Sequence, residues 1–491
     1  MNQNTPFVHF FNKNRRSLLL FVMIAGLSSL LALASAAPPE TFISSNPEPV
    51  PPKINTTTHS DLKIHTQLSQ TKIIQNSNTE LVLDLKIETP KSTQVNVART
   101  PVDMVVILDR SSSMNGDKKF TLAKKAIASL VDRLNEEDRI SLITFSHSAT
   151  VQVPLSYVNR ACRSKFTKLL ANLRPGGSTN MGHGLQLARQ QLKNPLKGYS
   201  SRVILLSDGQ ANAGIHDPAG LKGLVKELSS NDIVVSTIGM GLGFNENVMS
   251  MLADHGMGSF NYLENLAGLD GLFEKDLNDA RQQYASYSQI HLKLQPGVKI
   301  VDAGGYPIER KLMSRDVIIP LGQLLYDRKK SLMISFTIPS HQVGDVGFGI
   351  LNFNYKNPEG EMVSVHSEHQ HIITVVEPEK RQEVIAALNK DVYQRSWLDN
   401  NLGRLRKSIS HSLRSGDRRS AEKSMLEYQN KLDAVQQATG IQLESVALKN
   451  ELKEMKEEVQ DSFRGNAHEQ KLKQNRYAKK NLNTSRSEQR K

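Results

Sequence analysis

Three serines follow an aspartate in "DRSSSM", residues 109–114. The run comes directly after "VDMVVIL", apolar and rich in β-branched residues, which reads as a buried strand. Asp109, Ser111 and Ser113 thus carry three oxygen side chains on one short turn. They lie at the carboxyl end of a strand, where open α/β sheets bind ligands. Alone, the pattern is equally that of a helix cap, since Asp and Ser cap helices and a helical pattern begins nearby. Two other stretches bear on the choice. "RPGGSTNMGHGL" (174–185) has a Gly-Gly turn, then Thr179, then a helix opening with small residues. "VILLSDGQANAG" (203–214) is a second buried strand ending in Asp208, with Gly209 permitting a tight turn. If adjacent strand ends bring these loops together, two carboxylates and three hydroxyls surround one point. All are hard oxygen ligands, a set that suits Mg²⁺ with water completing an octahedron.

The elements that must position these loops run from 102 to 283. Strands "DMVVIL", "ISLITF" (140–145), "RVILLS" (202–207) and "IVVSTIG" (233–239) alternate with helical stretches such as "DKKFTLAKKAIASLVDRL". Apolar strands alternating with helices imply a mostly parallel sheet covered on both faces. Two β segments, 59–100 and 284–376, flank this α/β unit. In the first, Leu81, Leu83, Leu85 and Ile87 fall on one face of "LVLDLKIE". The simplest packing is one β-sandwich into which the α/β domain is inserted, its termini close together. Residues 379–463 read as about three helices, interrupted at Gly416 and Gly440. They form either a small bundle packing on itself or on the sandwich, or a coiled-coil surface for a partner.

"DRSSSM", "GGSTN" and "LLSDG", in that order, resemble the metal-ion-dependent adhesion site of the von Willebrand factor type A domain. The resemblance covers about 103–282 and implies a Rossmann-like α/β fold, its sheet mostly parallel with one antiparallel edge strand. It implies metal ligation by Asp109, Ser111, Ser113, Thr179 and Asp208, all five of the expected residue type. The cation implied is Mg²⁺, with Mn²⁺ or Ca²⁺ as alternatives. The partner implied is a protein that completes the coordination with an exposed Asp or Glu, and no catalysis is required. It also implies that the domain's last helix, "LAGLDGLFEKDLNDARQQ" (266–283), shifts and alters metal coordination.

The ends of the chain speak to location. "NKNRRS", an apolar run "LLLFVMIAGLSSLLAL" and "ASA" at 34–36 make residues 1–36 an export signal, or an uncleaved anchor helix. Residues 37–58 are rich in Pro and Ser and read as an extended tether. These features predict an exported protein that is periplasmic, on the cell surface or secreted. The net charge of +13 is concentrated at the termini: +3 in 1–36, and +7 in 464–491, where nine Lys/Arg face Glu469 and Glu488. The body between is close to neutral, so no nucleic-acid-binding domain is expected. The tail 464–491 has few apolar residues and reads as disordered, with its bases or the N-terminus available to membrane or cell envelope.

Other candidates are weaker. His366, His369 and His371 in "HSEHQH" read as a solvent-facing strand edge before a metal site. Cys162, the single cysteine, excludes an intrachain disulfide and has no C-x-x-C partner. "GMGLGF" (239–244) lacks a Walker lysine and reads as a plain loop. No H-E-x-x-H or G-x-S-x-G occurs, so an enzyme of the common hydrolase types is not supported. Two functions remain: cation-dependent protein binding, for adhesion or complex assembly, and a structural component acting through its helices with the metal only stabilising loops.

Overall fold

The computed structural model describes residues 53–91, 100–116, 118–208, 210–263, 268–311, 313–357, 359–367 and 370–489. The expected signal, residues 1–36, and most of the tether lie outside them. Chain order begins with β1 (Asn55–His59), β2 (Leu62–Leu68), β3 (Lys72–Ile74) and β4 (Leu81–Glu88). The α/β unit follows with β5 (Val102–Asp109), α1 (Lys119–Arg133), β6 (Arg139–Phe145), β7 (Ala149–Tyr157), α2 (Arg160–Asn172) and α3 (Met181–Gln191). It continues with β8 (Ser200–Ser207), α4 (Pro218–Ser230), β9 (Ile233–Met240), α5 (Glu246–His255), β10 (Met257–Leu263) and α6 (Leu269–Arg281).

The second β segment holds β11 (Gln283–Leu294), β12 (Lys299–Ala303), β13 (Glu309–Arg310), β14 (Asp316–Leu325) and β15 (Lys329–Thr337). After these come β16 (Gly344–Gly347), β17 (Gly349–Lys356), β18 (Met362–His366) and β19 (Ile372–Val376). Five helices end the described chain: α7 (Arg381–Ala386), α8 (Lys390–Ser415), α9 (Arg418–Thr439), α10 (Val446–Asp461) and α11 (Ala467–Gln489).

The α/β sheet has strand order β10-β9-β8-β5-β6-β7, all parallel except for β7, which pairs antiparallel with β6 at the edge. Strands β5, β8 and β9 are buried along their whole length, which is why they read as unbroken apolar runs. Met104, Val106 and Leu108 face one apolar layer with α1, α2 and α6. Val105 and Ile107 face another with α3, α4 and α5. Two strands escaped the sequence pattern, β7 and β10, because each is only partly buried and lacks a clean period.

The flanking strands form sheets β1-β2-β4-β15-β12, β13-β14-β11-β17-β18 and β16-β19-β3 around one apolar core. β4, which precedes the α/β unit, pairs antiparallel with β15, which follows it, from Leu81 opposite Phe336 to Glu88 opposite Lys329. That pairing closes one sheet across the inserted unit. β1 starts at Asn55, inside the stretch expected to be a tether.

The tail is the clearest departure from expectation. Residues 467–489 form helix α11, packed mainly on α8, rather than a disordered segment. Its apolar content is low, but its bases have acids to meet. Lys473 pairs with Asp461 (2.8 Å) and Lys480 with Glu454 (2.8 Å) and Glu458. Arg486 pairs with Asp254 of α5, and Lys479 donates to the Phe244 carbonyl (3.0 Å) with its ammonium 3.5 Å from that ring's centroid. Burial pulls the Lys479 ammonium down to about 8. α8 spans the same two regions: Arg395–Asp84 (2.9 Å) and Asn400–Ser335 (2.7 Å) tie it to the sandwich, and Arg414–Glu246 (2.8 Å) to α5. The helices therefore brace the sandwich against the α/β unit.

Candidate metal centre

In the α/β sheet the chain direction across the sheet reverses between β5 and β8. Such a switch point opens a crevice outside the carboxyl strand ends. Asp109 is the last residue of β5 and Asp208 follows β8 directly, so both candidate carboxylates sit at that crevice. They are 0% and 2% exposed. Asp109 Oδ1 accepts the Ser111 backbone N–H (2.8 Å), and Oδ2 accepts the Ser207 hydroxyl (2.6 Å). The Ser111 and Ser113 hydroxyls are 3.0 Å apart, and Ser113 Oγ donates to Asp208 Oδ1 (2.7 Å). Ser111 is buried and Ser113 exposed, so the cluster runs from the sheet out to solvent.

The helix-cap alternative fails. Ser111 precedes a short 3₁₀ turn, Ser112–Asn115, and makes no side-chain capping bond to it. Helix α1 is preceded by Lys118, again with no side-chain cap.

Backbone bonds stitch the three loops together. Ser112 N donates to the Gly177 carbonyl (3.1 Å), Gly177 N to the Ser112 hydroxyl (3.0 Å) and Gly176 N to the Arg110 carbonyl (2.6 Å). Gly177 has φ +95°, and a Cβ there would sit 3.1 Å from that of Ser146, so the close approach requires glycine. Thr179 is buried and joins through Asn212: its N–H donates to Asn212 Oδ1 (2.9 Å), and its carbonyl accepts from Asn212 N (3.1 Å). Asn212 lies in the loop after Asp208. The structure thus links Asp109, Ser111, Ser113 and Asp208 by direct hydrogen bonds and holds Thr179 by a neighbouring residue.

The electrostatics fit a cation. Burial pushes the Asp109 carboxyl above its ordinary range, and the Asp208 charge adds to that, against the hydrogen bonds from Ser111 and Ser207. A buried carboxylate beside another is costly without positive charge. The donors are all oxygen and include two carboxylates, the chemistry of a small hard divalent ion.

Three residues at this site were not read from the sequence. Ser207 and Asn212 are small polar residues flanking Asp208, and their nearness in "LLSDGQAN" was the only signal. Lys119 pairs with Asp208 Oδ2 at 2.6 Å, and "GDKKF" gave no sign of it, since helix lysines are usually solvated.

The other candidates are placed elsewhere. His366 Nδ1 lies 2.8 Å from Asn352 Oδ1, and His371 is buried with Nε2 2.9 Å from Thr66 Oγ1, while His369 lies outside the described residues. Cys162 is buried, and that burial raises its thiol pKa, the opposite of nucleophile activation.

An open, mostly parallel α/β sheet with oxygen side chains at its switch point defines the class. The sequence profile of the von Willebrand factor type A domain matches residues 103–275, and the chain carries that domain. Across 278 residues it is 27% identical to protein sll0103 of Synechocystis, covering 55% of this chain and 65% of that one. Across 202 residues it is 28% identical to human inter-alpha-trypsin inhibitor heavy chain H4, covering 39% of this chain and 20% of that one. The chain spans less than two thirds of the length of these curated relatives. Among solved structures, "von Willebrand factor type A from Catenulispora acidiphila" superposes with a TM-score of 0.57 at 15% identity, covering 80% of this chain and 90% of that one. The ArnB paralog VWA2 from Sulfolobus acidocaldarius gives 0.51 at 17%, covering 88% and 99%. The likeness in fold thus extends well beyond the matched domain.

Proposed function

We propose that this chain is an exported, divalent-cation-dependent protein-binding protein, for adhesion or complex assembly. Asp109, Ser111, Ser113, Thr179 and Asp208 would hold Mg²⁺, or Mn²⁺ or Ca²⁺ in its place. The bound ion supplies a positive anchor for a partner's Asp or Glu, a charge-assisted contact strengthened by exclusion of water. The protein's own part is to hold the loops in register and to present the exposed Ser113 side of the cluster to the partner. One observation carries the reading: two buried carboxylates and their hydroxyls gathered at the switch point of a von Willebrand factor type A domain. Matches to other carriers of this domain, including inter-alpha-trypsin inhibitor heavy chains, favour protein interaction over catalysis.

The braced arrangement of α8 and α11 argues against the helices as the main partner surface, since they already engage the sandwich and α5. In this reading they fix the domain's attitude. The test is partner capture from the native cell envelope by wild type and Asp109→Ala, in Mg²⁺ and in EDTA. Loss of the same partner in the variant and in EDTA is expected. Capture indifferent to both, yet abolished by removing 379–491, would overturn this reading for one in which the helices bind.

A further inference from the structure

Lys119 occupies a position that local rules disfavour. It is the first residue of α1, where the helix dipole repels a cation. The residue before it, Lys118, has φ 57°, a left-handed conformation uncommon outside glycine. That turn leads the chain into α1 with the Lys119 ammonium 2.6 Å from Asp208 Oδ2 and 3.5 Å from the Ser113 carbonyl. The lysine side chain is 13% exposed and that of Asp208 0%, so water screens the pair little.

A second loop lies against it. Gly241, in the "GMGLGF" stretch, has φ +71°, and a Cβ there would lie 2.9 Å from Lys119 Cε and 3.4 Å from its Nζ. The positive φ itself favours glycine, and a Cβ at 241 would touch the end of the lysine, so the run that reads as a plain loop packs against Lys119 where it reaches Asp208. Among the described residues, Asp109 and Asp208 bring two carboxylates to the site and Lys119 one ammonium.

We propose that Lys119 is a built-in counter-cation that competes with the metal for Asp208 and so sets the site's metal affinity. This rests on the proposed metal site. The lysine neutralises Asp208 when no metal is bound. Metal uptake must work against that pair, which weakens binding and keeps it reversible.

The test is calorimetric titration of the full chain with Mg²⁺, repeated with Mn²⁺, on wild type, Lys119→Met and Lys119→Gln. Removing the ammonium is expected to tighten metal binding at least about tenfold. It is also expected to lower the melting temperature in EDTA and enlarge the rise that Mg²⁺ produces. In an Asp208→Asn background the gain in affinity from Lys119→Met should vanish, because the competed charge is gone. Lys119→Gln serves where the Met variant folds poorly. Unchanged or weaker binding in the Lys119 variants, with wild type binding normally, overturns this proposal alone. Absence of uptake by wild type and variants together overturns the metal reading and this proposal with it.

Discussion

At the carboxyl edge of the six-stranded sheet, Asp208 pairs with the Lys119 ammonium, and Asp109 is held by hydrogen bonds from Ser111 and Ser207. At the amino edge Asp103 and Asp138 each have a guanidinium of their own. Asp103 takes a two-pronged bond from Arg139 (2.7 and 2.5 Å), and Asp138 pairs with Arg281 (3.0 Å). Arg202, fully buried, lies 3.7 Å from Asp276 and donates to Gln283 (3.3 Å) and Gln323 of the sandwich. The two edges belong to the same strands and bury charge to a similar degree. What separates them is balance. The matched pairs lie within the α/β unit, and the bonds from Arg202 to Gln283 and Gln323 close a joint with the sandwich. The carboxyl edge, with two buried carboxylates and one paired lysine among the described residues, opens onto loops, and this imbalance favours the proposed cation site.

Substitutions at the two edges should therefore behave differently. The largest effect on stability is expected at the joint: Arg202→Ala should cost about 3 kcal/mol, read as a lower urea midpoint, because it leaves Asp276 buried beside the gap. Asp109→Ala in EDTA should change unfolding by less than about 1 kcal/mol, since relief of a buried carboxylate offsets the lost bonds from Ser111 and Ser207. A large loss there would break the comparison by making Asp109 structural.

A pH titration sharpens it next. Glu309 of β13 lies 3.0 Å from His255 of α5 and 2.8 Å from Lys226 of α4, another balanced joint. Its contacts with His255, first, and then Lys226 hold its carboxyl down to about 2. A lowered folded value means the stability is present above the ordinary 4.5 and is lost as pH falls from there toward 2. The difference in urea midpoint between wild type and Glu309→Gln should therefore be full at pH 7 and shrink steadily below pH 4.5. A difference independent of pH would mean that the charge does not hold this joint. The smallest effect is expected at the rim of the brace. Arg404 pairs with Glu80 (2.6 Å) in solvent, so Arg404→Ala should cost no more than about 1 kcal/mol by the same measurement.

Much of this was legible in the residues themselves. Unbroken runs such as "VDMVVIL" and "RVILLS" announced strands buried on both faces, because such strands have no solvent side to alternate with. The order of the Asp-x-Ser-x-Ser, Thr179 and Asp208 stretches pointed to one loop cluster, since strand ends at a switch point converge. Helix α11 was not legible. It packs mainly on α8 while its bases meet acids on α10 and α5, and contacts at such range leave no local pattern. Lys119 was hidden for a similar reason. Its partner lies 89 residues further along the chain, and only the fold brings them together.

In the proposed site, the carboxylates of Asp109 and Asp208 hold a divalent cation. Calorimetric titration of the intact chain with Mg²⁺, wild type beside Asp109→Ala, tests it most directly. Saturable uptake at one site is expected in wild type, weakened at least about a hundredfold in the variant. No uptake by wild type, or equal uptake by both, would contradict it.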